Sequence, residues 1–323
     1  MSTDAPFSDL ICSYFSVSGP AHDDCSFIGR RNRERYGMSA ADADFWLMAN
    51  RVEGGTVMTH KRGPWKNFIT GIWRSPLGVN YVADATLPGV HRYDDMLNDS
   101  AQPRDSTLDM LPEGVWGLDD ANVFAWGTRK GASVAREYPI YRWDGQHWRE
   151  MPAPGFAVTV MHGIAPDLVY AAGWQGGIAR WDGRGWTTLP LPTGEVLTDV
   201  FVAGSDELYA TGMNGSLLEG SGSGWHLITR TQDERLPFTC VAKWQGELYV
   251  GGGPLGLFRR HGVSNQLDHI KPNVKATSFD SRVSLVITMD GGIAGTADGQ
   301  SFKGAAMGTL LETTSHIDIA AWP

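Results

Sequence analysis

Short apolar runs closed by glycine alternate with polar turn segments along most of the chain. Four of them fall into register: Ala121-Asn-Val-Phe-Ala-Trp-Gly127, Asp167-Leu-Val-Tyr-Ala-Ala-Gly173, Glu207-Leu-Tyr-Ala-Thr-Gly212 and Glu247-Leu-Tyr-Val-Gly-Gly252. Each is short, rich in β-prone residues and bounded by turn formers, which predicts a strand. The closing glycines lie 173−127 = 46, 212−173 = 39 and 252−212 = 40 residues apart, a period expected of supersecondary units stacked side by side. A second anchor keeps the same period. Trp143-Asp-Gly-Gln-His-Trp148 matches Trp181-Asp-Gly-Arg-Gly-Trp186, and Gly222-Ser-Gly-Trp225 is a worn copy, with Trp spacings of 186−148 = 38 and 225−186 = 39. Asp144-Gly145 and Asp182-Gly183 are hairpin turn signals between apolar runs. The one brief helical candidate is Ser39–Ala49.

Fainter copies flank this central series: Phe45–Met48 with Gly63-Pro64-Trp65, Val79–Ala83 with His91–Tyr93, and Ser284–Thr288 with Gly295–Gly299. The pattern predicts an all-β fold, a single closed β-propeller of about seven four-stranded blades, with six or eight as alternatives. The blades begin near residues 40, 71, 112, 155, 195, 234 and 274. Met96–Met110, polar and containing Pro103, reads as an inter-blade loop, and Thr128–Pro139 and Gly262–Asn273 as further insertions that enlarge a face. Leu10–Val17 and Ile317–Trp322 read as strands from the two ends that together complete one blade and remove its exposed edge. Residues 1–38 are then an N-terminal segment contributing a closing strand, and residues 39–323 the propeller.

Composition agrees with this layout. The 40 Gly suit many tight turns and the 13 Trp suit repeated large anchors in a β core. Cys12, Cys25 and Cys240 form neither a metal-binding pair nor a disulfide framework. The net charge of −9 argues against general nucleic-acid binding. Arg30, Arg31, Arg33 and Arg35 are a local exception and read as a solvated segment. An acidic surface is better matched to a basic protein partner. No basic leader precedes an apolar run, and no apolar run approaches the ~18 residues that span a membrane. The expected compartment is the cytoplasm.

The series Val115-Trp-Gly, Asn122-Val-Phe-Ala-Trp-Gly127 and Trp143-Asp-Gly to Trp148 resembles bacterial WD40/YVTN-like and Asp-box-like propeller repeats. The Gly251-Gly252 pair and the 143–148 spacing are similar to kelch repeats. The resemblance covers roughly residues 45–305 and implies a fold, since one fold hosts many functions. The full Ser-x-Asp-x-Gly-x-Thr-Trp box and the paired Gly-His and Trp-Asp signature are both missing.

Candidate chemistry is sparse. The nine histidines share no local motif, and neither Gly-x-Ser-x-Gly nor His-Glu-x-x-His occurs. His162 reads as a hydrogen-bonded strand histidine. Asp290-Gly-Gly292 and Asp298-Gly299 read as hairpin turns, and His22-Asp-Asp-Cys25 lacks a second ligand cluster, so no metal, cofactor or catalytic residue is expected. Trp143, Asp144, Trp148, Trp181, Asp182, Trp186 and Trp225 read as the structural motif of each blade. A lectin would keep sugar-binding partners beside each Trp, whereas Gln146-His147, Arg184-Gly185 and Ser223-Gly224 differ. Partner contacts are expected at loop residues Arg129, Lys130, Glu137, Arg184, Asp233 and Glu234. The expected function is a non-enzymatic protein-binding propeller, in its sharper form an immunity protein that caps a basic toxin domain. A glycan-binding propeller lectin is the alternative, and a hydrolase or lyase with its site in the central channel a second one.

Overall fold

In the computed structural model, residues 10–33, 43–96, 98, 103–131, 137–221, 224–231, 236–306 and 320–321 are described. Their strands form seven antiparallel sheets arranged as blades of a ring. Blade 1 is Leu10–Ala21, Asp24–Arg33, Asp44–Glu53 and Thr56–Trp65, and blade 2 is Ile69–Arg74, Asn80–Asp84, Gly89–Tyr93 and Arg104–Thr107. Blade 3 is Met110–Asp119, Asn122–Arg129, Ile140–Trp143 and Trp148–Met151, and blade 4 is Val158–Ala165, Leu168–Gly173, Ile178–Trp181 and Trp186–Thr188. Blade 5 is Leu197–Gly204, Glu207–Gly212, Ser216–Ser221 and Gly224–Arg230, and blade 6 is Cys240–Trp244, Glu247–Gly251, Leu257–Arg260 and Asp268–Lys271. Blade 7 is Ala276–Asp280, Leu285–Met289, Gly292–Thr296 and Phe302–Ala306, with Ala320–Ala321 as a fifth strand. The seven-bladed all-β ring expected from the repeats is the fold of this protein.

The repeat anchors have direct physical causes. In blades 2 to 6 the second strand carries a buried aromatic residue, Tyr81, Phe124, Tyr170, Tyr209 or Tyr249. The core is a series of layers between blades. Tyr170 and Ala172 of blade 4 pack with Val200 and Leu208 of blade 5, and Tyr14 and Trp46 of blade 1 with Val286 and Ile293 of blade 7. Each such large side group contributes about 1.5–3 kcal/mol. Two of the closing glycines, Gly127 and Gly173, mark a close backbone approach. A Cβ on Gly173 would lie 2.0 Å from the Ala157 carbonyl oxygen, and one on Gly127 would lie 2.0 Å from that of Leu111.

Several boundaries differ from the sequence expectation. The first blade begins at Leu10, not near residue 40. The part of the helical candidate that is described, residues 43–49, enters the strand Asp44–Glu53. Phe45, Trp46, Leu47, Met48 and Ala49 are all buried, so both faces are apolar and periodicity cannot separate strand from helix. The stretch 96–110 contains the outer strand of blade 2, paired Arg92↔Arg104, and the stretch 262–273 contains the outer strand of blade 6.

The ends also meet differently. All four strands of blade 1 come from residues 10–65, while Ala320–Ala321 pairs with Lys303 and Gly304 on blade 7. No blade is shared between the ends among the described residues. Blades 7 and 1 instead abut side by side, with Thr277 Oγ1 donating to the Tyr14 carbonyl at 2.6 Å. The Val17 N–H donates to Ser278 Oγ at 3.0 Å, and the Gly19 N–H to Asp280 Oδ2 at 3.0 Å.

Candidate functional site

The first strand of every blade runs along the ring axis, with one edge that lacks a strand partner. Unpaired N–H and C=O groups on such an edge are costly if left dry. Side chains of the preceding blade satisfy them. Thr70 Oγ1 donates to the Pro112 carbonyl at 3.1 Å, Thr159 to Leu197 at 2.7 Å, Thr198 to Phe238 at 2.5 Å and Thr239 to Ala276 at 2.7 Å. In the same rotational sense, Ser16 Oγ accepts the Ile72 N–H at 2.9 Å and Asp199 Oδ2 accepts the Val241 N–H at 2.9 Å. The joint between blades 3 and 4 uses aromatic packing, with the rings of Trp116 and His162 5.4 Å apart.

These strands enclose a central cavity of about 610 Å³, lined on one side by Trp116, His162 and Phe201 and elsewhere by Asp199, Phe279 and Asp280. His162 lies between Trp116 and Phe201, the latter ring 4.7 Å away. Its Nδ1 accepts the Val202 N–H at 3.0 Å, which places the ring proton on Nε2. Burial holds the imidazole neutral, lowering its pKa to about 4. The ring is half-buried by area, with its open side toward the central cavity. Burial likewise pushes the Asp199 carboxyl up to about 7, against two backbone N–H bonds from Val200 and Val241 that favour the carboxylate. Asp280 is paired with Arg282, whose Nη2 lies 2.7 Å from Oδ2. Sequence reasoning reached His162 as a strand histidine but missed Asp199. A third register carries the missed signal: the inner threonines are spaced 198−159 = 39, 239−198 = 41 and 277−239 = 38.

Antiparallel order puts the turns after first and third strands on one face of the ring, where the inner strands exit. The connections between blades, with the turns after second strands, lie on the entry face. The residues expected to contact a partner divide between the two. Arg129, Lys130 and Glu137 flank an entry-face loop of blade 3, whereas Arg184 sits exposed in an exit-face turn of blade 4. Asp233 and Glu234 lie outside the described residues. Arg129 is engaged within its own blade, paired with Glu137 at 2.5 Å, with Asp109 at 3.1 Å and with Glu150.

On the exit face, the first turns around the channel mouth carry three exposed apolar residues. Leu77 is 83% exposed, Val283 70% and Ile164, at the end of its strand, 48%. Asp119, Asp167 and Asp206 are exposed on the turns between and beside them. Further out on the same face are Asp94, Asp144, Asp182 and Asp298, all exposed. The entry face exposes Leu87, Leu111, Trp174 and Met213 instead.

The Trp-Asp-Gly residues build exit-face turns. Asp144 Oδ1 accepts the N–H groups of Gln146 and His147 at 2.9 and 2.8 Å, while Asp182 Oδ1 accepts those of Arg184 and Gly185, each at 2.9 Å. These bonds hold both carboxyls below the usual range. Gly145 and Gly183 take φ of 94° and 90°, a region that favours glycine. Asp298 makes the same turn in blade 7, where N–H bonds from Gln300 and Ser301 lower its pKa to about 2. The paired rings meet at a tilt across the hairpin, Trp143 with Trp148 at 5.8 Å and Trp181 with Trp186 at 5.5 Å. Trp225 is buried, its ring where a Cβ of Gly220 would come within 2.5 Å.

Among the described residues, no group of His, Cys, Asp and Glu is arranged to hold a metal ion, and no helix is long and apolar enough to cross a membrane. No protein-family model matches the sequence, and no curated protein matches it. Solved structures do. The WD40 β-propeller domain of Doa1 is similar with a TM-score of 0.66 and 9% identity, covering 86% of this protein and 90% of that one. Catalytically inactive virginiamycin B lyase from Staphylococcus aureus, with quinupristin, is similar with a TM-score of 0.63 and 11% identity, over 86% and 92% of the two proteins. YCF48 bound to D1 peptide is similar with a TM-score of 0.58 and 14% identity, over 87% and 90%. The fold is thus that of a WD40-like β-propeller. Two of these similar structures hold a ligand, D1 peptide on YCF48 and quinupristin with the lyase.

Proposed function

We propose that this protein is a non-enzymatic protein-binding propeller that docks a basic partner on its exit face. The observation that carries the reading is the presence of exposed Leu77, Ile164 and Val283 together with exposed Asp119, Asp167 and Asp206 on the turns around the channel mouth. Apolar anchors ringed by like-charged polar groups are the composition of a docking surface, in which the anchors supply affinity and the charges supply orientation and rate. The net charge of −9 adds long-range attraction for a cationic protein. YCF48, a propeller of the same fold, is bound to a peptide. The tilted pairing of the Trp-Asp-Gly rings across each hairpin, with the burial of Trp181 and Trp225, supports a structural role for those residues.

In its sharper form, the partner is a basic toxin domain and the propeller is its immunity protein, acting in the cytoplasm. The test is affinity capture from the native cells at low salt, followed by identification of the bound protein. A triple exit-face variant, L77D/I164D/V283D, should lose the partner, while W174D on the entry face should keep it. Loss with W174D alone would move docking to the other face, and capture of nothing by the native protein would remove the protein-binding reading. The immunity form further requires that the captured protein arrest growth when expressed alone and be relieved by co-expression of the propeller.

A further inference from the structure

We propose that the central cavity is a binding site for a small organic ammonium ligand, held by the Asp199 carboxylate and the Nε2–H of His162. The cavity meets the docking face at Ile164, which lines both, and the inference goes beyond the reading above.

The cavity, at about 610 Å³, has the volume of ligand pockets and a mixed lining, with aromatic rings and a few convergent polar groups. Among the described residues, the titratable groups facing it are Glu113, His162, Asp199, Cys240, Asp280 and Arg282. The one guanidinium of that set is taken up by Asp280, through both Nε at 3.1 Å and Nη2 at 2.7 Å. His162 and Cys240 are neutral, since burial lowers the first pKa and raises the second. With Arg282 taken up by Asp280, Glu113 and Asp199 are the lining carboxyl groups left without a cationic partner among the described residues, so the lining is acidic. It is therefore a receptor for cations.

Asp199 is the focus of that charge. Its two oxygens accept the N–H groups of Val200 and Val241, both at 2.9 Å, and no cationic group among the described residues compensates it. A desolvated carboxylate without a counter-ion is stabilised strongly by any cation that enters the same cavity. His162 contributes the complementary donor. Its Nδ1 is occupied by Val202, which leaves the Nε2–H to meet an acceptor on the ligand. Phe201 and Phe279 offer apolar and π contact beside the cationic group.

Calorimetry on the full-length protein with benzylammonium, tryptammonium and choline as probes tests the site. The controls are uncharged benzyl alcohol and anionic benzoate. At about pH 8, an ammonium probe should bind at least about tenfold more tightly than benzyl alcohol, with benzoate excluded. Asp199→Asn should abolish the preference. Val160, one blade earlier at the position equivalent to Asp199, also lines the cavity, so Val160→Trp should remove binding of every probe. The native affinity should fall as pH drops through about 7, where Asp199 takes up a proton. That profile keeps the test independent of whether the Asn variant folds. The proposal is overturned by absence of binding for all three ammonium probes, by equal binding of benzyl alcohol, or by binding that survives Val160→Trp.

Discussion

The Nδ1 of His162 accepts the backbone N–H of Val202 at 3.0 Å, tying blade 4 to blade 5 through a neutral imidazole. Protonation would break this bond and place a charge between two aromatic rings. The His162 pKa is lowered from 6.5 to about 4. Its stability contribution is therefore complete above about 6.5 and is lost as pH falls toward 4.

Asp199 works in the opposite direction. Its pKa is raised from 3.8 to about 7, so its contribution is complete below about 4 and is lost as pH rises through 7. Between about pH 4.5 and 6.5 the two slopes oppose each other. His162→Asn, which keeps an acceptor for Val202, should make stability fall more steeply with rising pH. Asp199→Asn should make it rise more steeply. The two slopes have opposite sign and should differ by roughly 2–2.5 kcal/mol per pH unit near pH 5.5 in urea unfolding, and coincident slopes would refute the pairing.

Thr159→Val removes a donor while preserving side-group shape, leaving the Leu197 carbonyl without its 2.7 Å bond. A loss of about 1–2 kcal/mol in denaturant unfolding is expected. The same substitution at an exposed threonine such as Thr187 should cost much less.

Gly173→Ala should be far more damaging than helix or turn propensities suggest. The backbone at Gly173 is extended, with φ 179°, so any residue could adopt it. The added Cβ, however, would fall 2.0 Å from the Ala157 oxygen. Overpacking against rigid backbone should cost about 3 kcal/mol, read as a lowered denaturation midpoint with an unchanged slope.

Arg129→Met dissolves the pairs with Asp109, Glu137 and Glu150. The carboxylates are largely exposed, so the loss of stability should stay below about 1 kcal/mol. If docking uses the exit face, capture of the partner should be unchanged. A large loss of binding would instead return Arg129 to the interface.

The legible part of the fold is the part whose physics repeats. Tyr170, Tyr209 and Tyr249 occupy one buried position, and Gly127 and Gly173 mark one close approach to backbone, so their spacing survives divergence elsewhere. Blade 1 lacks both anchors and has strands of 10 and 12 residues, which hid its first half. The cavity was harder still. His162 and Val202 are 40 residues apart, and Asp199 meets Val241 42 residues on, across the joint between blades 5 and 6. Neither residue stands in a local motif. Their pairing follows from register between blades, which a single repeat does not display.

The bonds along the inner strands share one further property. In each of them the side group belongs to one blade, while what it meets on the next is a backbone carbonyl or amide, as with Thr198 and Phe238 or Ser278 and Val17. Backbone is the same whatever residue carries it. At these joints a blade brings its own fastener and needs no particular sequence from the neighbour that receives it, whereas blades 3 and 4 meet through the side chains of Trp116 and His162. Duplication or exchange of a blade would find a working attachment point at once, so a ring of this kind can diversify its blades without first coordinating their joints.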